Sequence, residues 1–333
     1  MQISISEASE KVAAFLIANG LYERDTATLT DLVVQQQMLG NQFSAIGELV
    51  GKHQRLIAAT KDAVEEVVVD KPAAMLIKGN GRMAPLITAD HLDDVITKAK
   101  QQGIYALGIY DASYNEFFDV FCRRIASHDC IGIIVENGGP QGVVPFGGTK
   151  DVTGTNPLAY GIPTNGHPIV FDAATAMHAY GRIKQAIEKG EQLPNNAYVD
   201  KDGNITTDPQ AAYAVLPFGG FKGWAINILI DVLSGSLVRA KSGLDMPLDN
   251  PDRYIGTFII VIDPECFGDL QDFKASTTKL AKDIAAVPAS DPTNPVRVPG
   301  SRGSKHAEDA LNSGDLEIDE ADWQKFLSAI IGN

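Results

Sequence analysis

The sequence predicts an α/β protein in which a mixed domain of strands and helices is joined by a smaller, discontinuous helical domain built from both termini. Three observations lead there. Apolar runs of strand length (AAMLIK, GIYALGIY, CIGIIVE, PIVFDAAT, YIGTFIIVID) alternate with segments of helical period. The opening and closing stretches carry helix signals with no strand-like run beside them. Between the last strand candidate and the last helix, PASDPTNPVRVPGSRGS (288–304) is too rich in Pro, Ser and Gly for regular structure and reads as a crossing between domains or a binding loop. The expected division is 1–75 plus 289–333 for the helical, substrate-side domain and 76–288 for the mixed α/β domain.

Taken in order, Ser6 is a good cap for a helix through EASEKVAAFLIAN to Gly20, and Asp25 for a second, ATLTDLVVQQQML, stopping at Gly40. The chain thus opens as a helical hairpin. After AAMLIK, Thr88 precedes a helix in which Leu92, Val95, Ile96 and Ala99 recur at helical spacing, and Gly103 ends it. GIYALGIY, YNEFFDVFCRRIAS and CIGIIVE then read as strand, helix, strand, a βαβ unit. Further on, PIVFDAAT and YIGTFIIVID are buried strands, TAMHAYGRIKQAIEK is a helix closed by Gly190, and GWAINILIDVLSGSLVRA is an apolar helix. Asp319 caps the final helix, with Ile318 and Trp323 at its two staple positions.

Composition narrows the function. With 28 Lys+Arg against 42 Asp+Glu, the net charge of -14 repels nucleic acid and anionic membranes. Acidic residues stand where a secretory leader needs basic ones, and no apolar run reaches membrane-spanning length, so a cytoplasmic protein is expected. The three cysteines lack CxxC spacing and read as buried or inert thiols, and the six histidines form no metal motif, so no metal is expected. KGNGRMA (78–84) matches G-x-G-x-x-A, but Pro85 and the LI after it point to a turn between two strands instead of the helix start a dinucleotide fingerprint needs. Neither a Walker loop nor a G-x-S-x-G elbow is present.

Five segments have unusual residue choices: TGTNPLAYGIPT (153–164), IVFDAATA (169–176), TTDP (206–209), LPFGGFKGW (216–224) and VPGSRG (298–303). Singly, each has a plain reading as a turn, a helix cap at Asp172, or a linker. Their wording and order over nearly the whole chain resemble the malate/L-lactate dehydrogenase-like family, with its ureidoglycolate and sulfolactate dehydrogenases, diketogulonate reductases and ketimine reductases. The resemblance implies an NAD(P)-dependent oxidoreductase of a small oxo, hydroxy or imine compound, with a mixed-sheet, non-Rossmann NAD(P)-binding domain, usually a homodimer. It places NAD or NADP along Val170, Phe171, Asp172, Ala173, Ala174, Thr175 and Ala176, against Phe221 and Lys222, and under Gly300, Ser301 and Arg302. The three glycines of LPFGGFKGW are then read as making room for the dinucleotide, and Asn156 as shaping the neighbouring substrate wall.

The chain departs from the family where proton chemistry is expected. The family's Ser-His-Gly motif, followed shortly by an arginine, falls on GNQFSAIGEL (40–49), which puts Ser44 at the histidine and Glu48 at the arginine. Its Asn-x-x-His motif falls on DASYNE (111–116), with Tyr114 at the histidine. Hydride transfer to a carbonyl needs a group to supply a proton, so Tyr114 and Ser44 are the catalytic candidates. Glu48 and Asn156 are the substrate-binding candidates. A glutamate repels the carboxylate that an arginine would pair, which points away from an ordinary 2-hydroxy acid and toward a neutral or amine-bearing substrate. Two other readings stay open: a catalytically silent dinucleotide-binding relative serving as sensor or subunit, and a non-redox binding module.

Overall fold

The computed structural model describes residues 1–41, 45–52, 54–140, 142–248 and 253–331. A short strand, β1 (Gln2–Ser4), leads into α1 (Ile5–Ala18), and the Ser4 hydroxyl accepts the Glu7 N–H at 3.1 Å. Ser4, not Ser6, is therefore the cap. α2 (Glu23–Met38) begins two residues before Asp25, whose buried carboxylate instead takes a 2.6 Å hydrogen bond from Arg82. The two helices pack as the expected hairpin, and short helices α3 (Leu49–Lys52) and α4 (Gln54–Thr60) follow.

The sheet strands are β2 (Glu66–Lys71), β3 (Ala74–Lys78), β4 (Ile104–Ala112), β5 (Ile131–Glu136), β6 (Pro157–Ile162) and β7 (Ile169–Ala174), interrupted by α5 (Ala84–Gln102) and α6 (Phe118–Ser127). Then come α7 (Arg182–Lys189), a small sheet of β8 (Tyr198–Val199), β9 (Ile205–Thr206) and β10 (Ala214–Val215), and α8 (Phe221–Asp231), which continues into a π-helical turn at Val232–Ser236. β11 (Ile255–Ile262) completes a seven-stranded sheet of order β2-β3-β4-β11-β5-β6-β7. β3 and β4 pair in parallel, and the other pairings of this sheet are antiparallel. Because β11 lies between β4 and β5, the expected βαβ unit over 104–136 is split. The unit that forms is β3–α5–β4.

That unit also overturns the turn expected at KGNGRMA. α5 starts at Ala84 with Pro85 in its first turn, where a missing N–H costs nothing. The strand–turn–helix setting of a dinucleotide fingerprint is thus present, but its helix start is plugged. Met83 N–H donates to Thr60 Oγ1 at 3.0 Å, Ala84 N–H donates to Ser113 Oγ at 3.2 Å, and Arg82, Met83 and Ala84 are buried. These amides are spent inside the protein and cannot cradle a phosphate.

Three helices close the chain, α9 (Leu270–Ala285), α10 (Ser301–Ser313) and α11 (Glu320–Ile331), with β12 (Asp315–Glu317) pairing antiparallel to β1. α9 was not foreseen, and it buries no residue. The Pro-rich stretch is irregular as far as Gly300, and its final SRGS is the first turn of α10. Asp319 accepts the Ala321 and Asp322 amides, and Ile318 and Trp323 are buried, as the capping pattern predicts. Phe15 and Leu16 of α1, Phe121 of α6, Ile259 of β11 and Phe326 of α11 belong to one apolar cluster, so the terminal helices share a core with the sheet. No described helix is long and apolar enough to cross a membrane. Cys122 and Cys130 are buried, whereas Cys266 is exposed.

Candidate active site

β7 is one of the two edge strands of the sheet, and two of the unusual segments dock on its opposite ends. At the first end, Val170 N–H donates to Pro299 O at 3.1 Å, and Gly300 lies so close that a Cβ there would stand 2.8 Å from Val170 O. Gly300 has φ 80°, the left-handed region glycine tolerates, and α10 starts at the next residue. Arg123 of α6 fixes this corner, donating from Nη2 to Gly300 O at 3.1 Å and from Nη1 to Ser304 Oγ at 2.7 Å while pairing with Asp119 at 2.5 Å. Ser301 is half-buried, and Arg302 is exposed.

At the other end, Phe218 N–H donates to Thr175 O at 3.0 Å and Met177 N–H to Leu216 O at 2.8 Å, which lays LPFGGFKGW beside Thr175–Met177. Its glycines answer to the chain's own geometry. Gly219 and Gly220 have φ 57° and 66°, and a Cβ on Gly223 would fall 1.9 Å from Phe218 O. They form a tight turn folding under the start of α8, and nothing lies within 4 Å of a Cβ added at Gly219. What the turn displays is side chains: Phe221 is 60% exposed, edge-on to Phe146 at 6.2 Å, and Lys222 is exposed beside it. Between the two docking points, the five steps from Val170 to Thr175 span roughly 17 Å at about 3.3 Å per residue.

Alternation divides the expected cofactor strip between two faces. Phe171 stacks on Tyr160 of β6 at 5.4 Å, while Val170 and Asp172 share the other face, against which α6 packs. Asp172 is exposed to solvent, although protein atoms crowd around its carboxyl. That enclosure, with the Asp119 carboxylate next to it, pushes the Asp172 carboxyl up to about 7, and the Asp119 N–H offsets part of the rise. Ala173 and Ala174 are half-buried, whereas Thr175 and Ala176 are buried.

A buried polar network that the sequence reading missed ties this strand to the rest of the site. Asn227 of α8 donates from Nδ2 to Gly154 O (3.1 Å) and Thr175 Oγ1 (3.0 Å), and its Oδ1 accepts from Thr153 Oγ1 (2.7 Å). Asn156, fully buried, donates to Asn227 O at 3.1 Å and to Asp231 Oδ1 at 3.3 Å and accepts the Gly138 N–H at 3.0 Å. Its amide is engaged by the protein, so Asn156 shapes the wall from behind. Its φ of 38° is one that asparagine tolerates better than most residues. Burial pushes the Asp231 carboxyl up, with Asn156 and the Gly243 N–H working against it.

Through Gly138 the network reaches Tyr114. Half-buried just after β4, this residue places its hydroxyl beside Gly139, where a Cβ would come within 2.9 Å of Tyr114 Oη. Glu48 lies elsewhere, exposed on a 3-10 turn (Ile46–Glu48) that packs on α2, α3 and α11. Ser44 lies outside the described residues.

The sequence profile described as malate/L-lactate dehydrogenase matches residues 3–327. A malate/(S)-sulfolactate dehydrogenase of Methanothermus fervidus is 30% identical over 327 residues, covering 96% of this chain and 94% of its own. The ureidoglycolate dehydrogenase (NAD(+)) of Escherichia coli O157:H7 is 27% identical over 340 residues, with 100% and 97% covered. Among solved structures, the sulfolactate dehydrogenase from Methanocaldococcus jannaschii aligns with a TM-score of 0.87 at 26% identity, over 99% of this chain and 96% of that one.

Proposed function

The chain belongs to the malate/L-lactate dehydrogenase family, and on that premise we propose that it transfers a hydride between NAD or NADP and a small oxo, hydroxy or imine compound, with Tyr114 handling the proton. The observation that carries this reading is the docking of two cation-bearing helix starts, those of α8 and α10, on one edge strand. Such a track suits a dinucleotide: helix N-termini with Lys222 and Arg302 attract phosphate, and the exposed ring of Phe221 offers a face for stacking. Bound there, the nicotinamide would supply or accept the hydride.

The chain's own residues would do the rest. In the reducing direction the substrate carbon takes the hydride, and its oxygen or nitrogen takes the Tyr114 proton. Solvent then restores the phenol, and oxidation runs the same steps backwards. Glu48, which replaces the family's arginine, is exposed on its 3-10 turn away from the β7 track, so this position offers a substrate carboxylate no cation, which favours a neutral or amine-bearing substrate. The active form is a homodimer, supported by the apolar outer face of α8. Ile228 and Leu229 are 44% and 56% exposed there, and Val232 of the π-helical turn that follows is 49% exposed, while Asn227 and Asp231 are buried, so the outward face is an apolar patch suited to a partner.

The test is NADH and NADPH oxidation by the purified protein with neutral ketones, cyclic imines, pyruvate and oxaloacetate, run beside Tyr114→Phe. Turnover of a ketone or imine that falls at least about a hundredfold in Tyr114→Phe is expected. An unchanged rate in the variant would remove Tyr114 as the acid, and ordinary enzymatic rates with pyruvate or oxaloacetate would remove the substrate assignment.

A further inference from the structure

We propose that Glu136 is a positioning residue that holds Tyr114 in place for proton transfer, an inference that rests on the role given to Tyr114 above. Glu136 ends β5 at 3% exposure, and its Oε2 accepts the Asn115 N–H at 2.8 Å and the Thr257 hydroxyl of β11 at 3.0 Å. The first of these bonds fastens the backbone one residue beyond Tyr114. On the other side, Ser113 Oγ accepts the Ala84 N–H and donates to Tyr114 O, each at 3.2 Å. Asn115 Nδ2 also donates to Thr88 Oγ1 of α5 at 2.8 Å. Tyr114 is therefore gripped from both flanks, and the Glu136 carboxyl ties its segment to β5 and β11 at the centre of the sheet.

The same four residues, ENGG (136–139), set both ends of the tyrosine. The Glu136 carboxyl holds its backbone, and Gly139, at φ 115°, borders its hydroxyl. A buried acid is an unusual choice for this task. No Lys, Arg or His pairs with it among the described residues, and the charged groups that act on it, Glu116 and Asp172, are both acids. Burial pushes its carboxyl well up, which favours the neutral form over the charged one at a place where none of the described residues sets a cation beside it. Its neighbour Asn115 Oδ1 is buried without a hydrogen-bond partner, so the segment depends on the bonds that remain.

The experiment compares Glu136→Ala, Glu136→Gln and Thr257→Val in the full chain by amide hydrogen exchange over residues 113–118, NADH affinity, and kcat and KM with the best substrate of the panel above. Glu136→Ala is expected to speed exchange in that segment at least about tenfold and to lower kcat by at least about as much, with KM and NADH affinity within about twofold. Glu136→Gln keeps an acceptor oxygen and is expected to restore both within about threefold, and Thr257→Val to leave the segment protected. Unchanged exchange in Glu136→Ala overturns the proposal, as does a glutamine variant as damaged as the alanine one. If the parent binds neither NADH nor NADPH, the oxidoreductase reading fails, while exchange still decides whether Glu136 holds the segment. If exchange rises and kcat does not fall, the anchor is structural only and the positioning role is refuted.

Discussion

Gly300→Ala tests whether the α10 corner is built to lie on β7. Two costs arise. A non-glycine residue at φ 80° costs about 1 kcal/mol. The added methyl would also stand 2.8 Å from Val170 O and 2.9 Å from Val170 N, where ordinary contact begins at 3.4 Å. β7 cannot yield, because it is paired with β6 along its full length from Ile169 to Ala174. The loop must therefore withdraw by about 0.6 Å. Withdrawal strains two 3.1 Å hydrogen bonds, Val170 N–H to Pro299 O and Arg123 to Gly300 O, each worth about 1 kcal/mol. The total is about 2–3 kcal/mol, a drop in Tm of roughly 3–4 °C for a chain of this size. NADH affinity, read by fluorescence titration, should fall about tenfold as Arg302 moves with the loop. Gly314→Ala is the control: its φ is 77°, but nothing lies within 4 Å of the added Cβ, so it carries the backbone cost alone and leaves NADH affinity intact. A Gly300→Ala variant indistinguishable from Gly314→Ala in both Tm and affinity would refute the reasoning.

Arg82→Met should cost about 3–5 kcal/mol in urea unfolding, because the guanidinium is buried against Asp25 (2.6 Å) and Glu65 (2.8 Å) and its removal leaves Asp25 charged and enclosed. Asp172→Asn should match the parent in Tm near pH 4 and exceed it at pH 8. The folded carboxyl is raised to about 7 from an ordinary 3.8, so the parent loses stability as pH climbs through that window and an amide does not. Below about pH 4.5 a different loss appears, because Glu65 is held down at about 2, chiefly by His91, 3.7 Å away, with the Arg82 guanidinium adding to it. Its contribution is present above the ordinary carboxyl range and disappears as pH falls toward 2, so Glu65→Gln should flatten the acid limb of the melting profile. Leu229→Arg, on the exposed face of α8, should shift light-scattering mass from dimer to monomer without lowering Tm, and a mass unchanged from the parent would count against that interface.

The fold class was legible because the apolar runs that became β3, β4, β5, β7 and β11 carry their own signal. Their neighbours in the sheet were not. Nothing local in YIGTFIIVID says that it inserts between β4 and β5, since strand order is decided by which faces the whole chain can bury. Pro85 misled for a different reason: it was read as a breaker, although the first helical turn is where proline is favoured. Ser6 and Asp25 show the limit of cap signals, because Ser4 was an equally good cap two residues earlier and Asp25 had a buried partner 57 residues away.

The site divides along the same line. The glycines of LPFGGFKGW are accounted for by the turn's own geometry, whereas Phe221 and Lys222 are the two side chains the turn holds out to solvent. The residues that bind the site together left a subtler trace, a polar group inside an apolar run. Asn227 and Asp231 interrupt AINILIDVL four residues apart, which places them on one helix face, and Glu136 ends CIGIIVE where a β-branched residue would suit a buried strand end. Burying such groups costs energy unless partners are waiting, so each predicts a partner it does not name. Here the partners are the Thr175 end of β7 for Asn227 and the Tyr114 segment for Glu136, so the interruptions in the apolar runs lead to the site more directly than the glycines do.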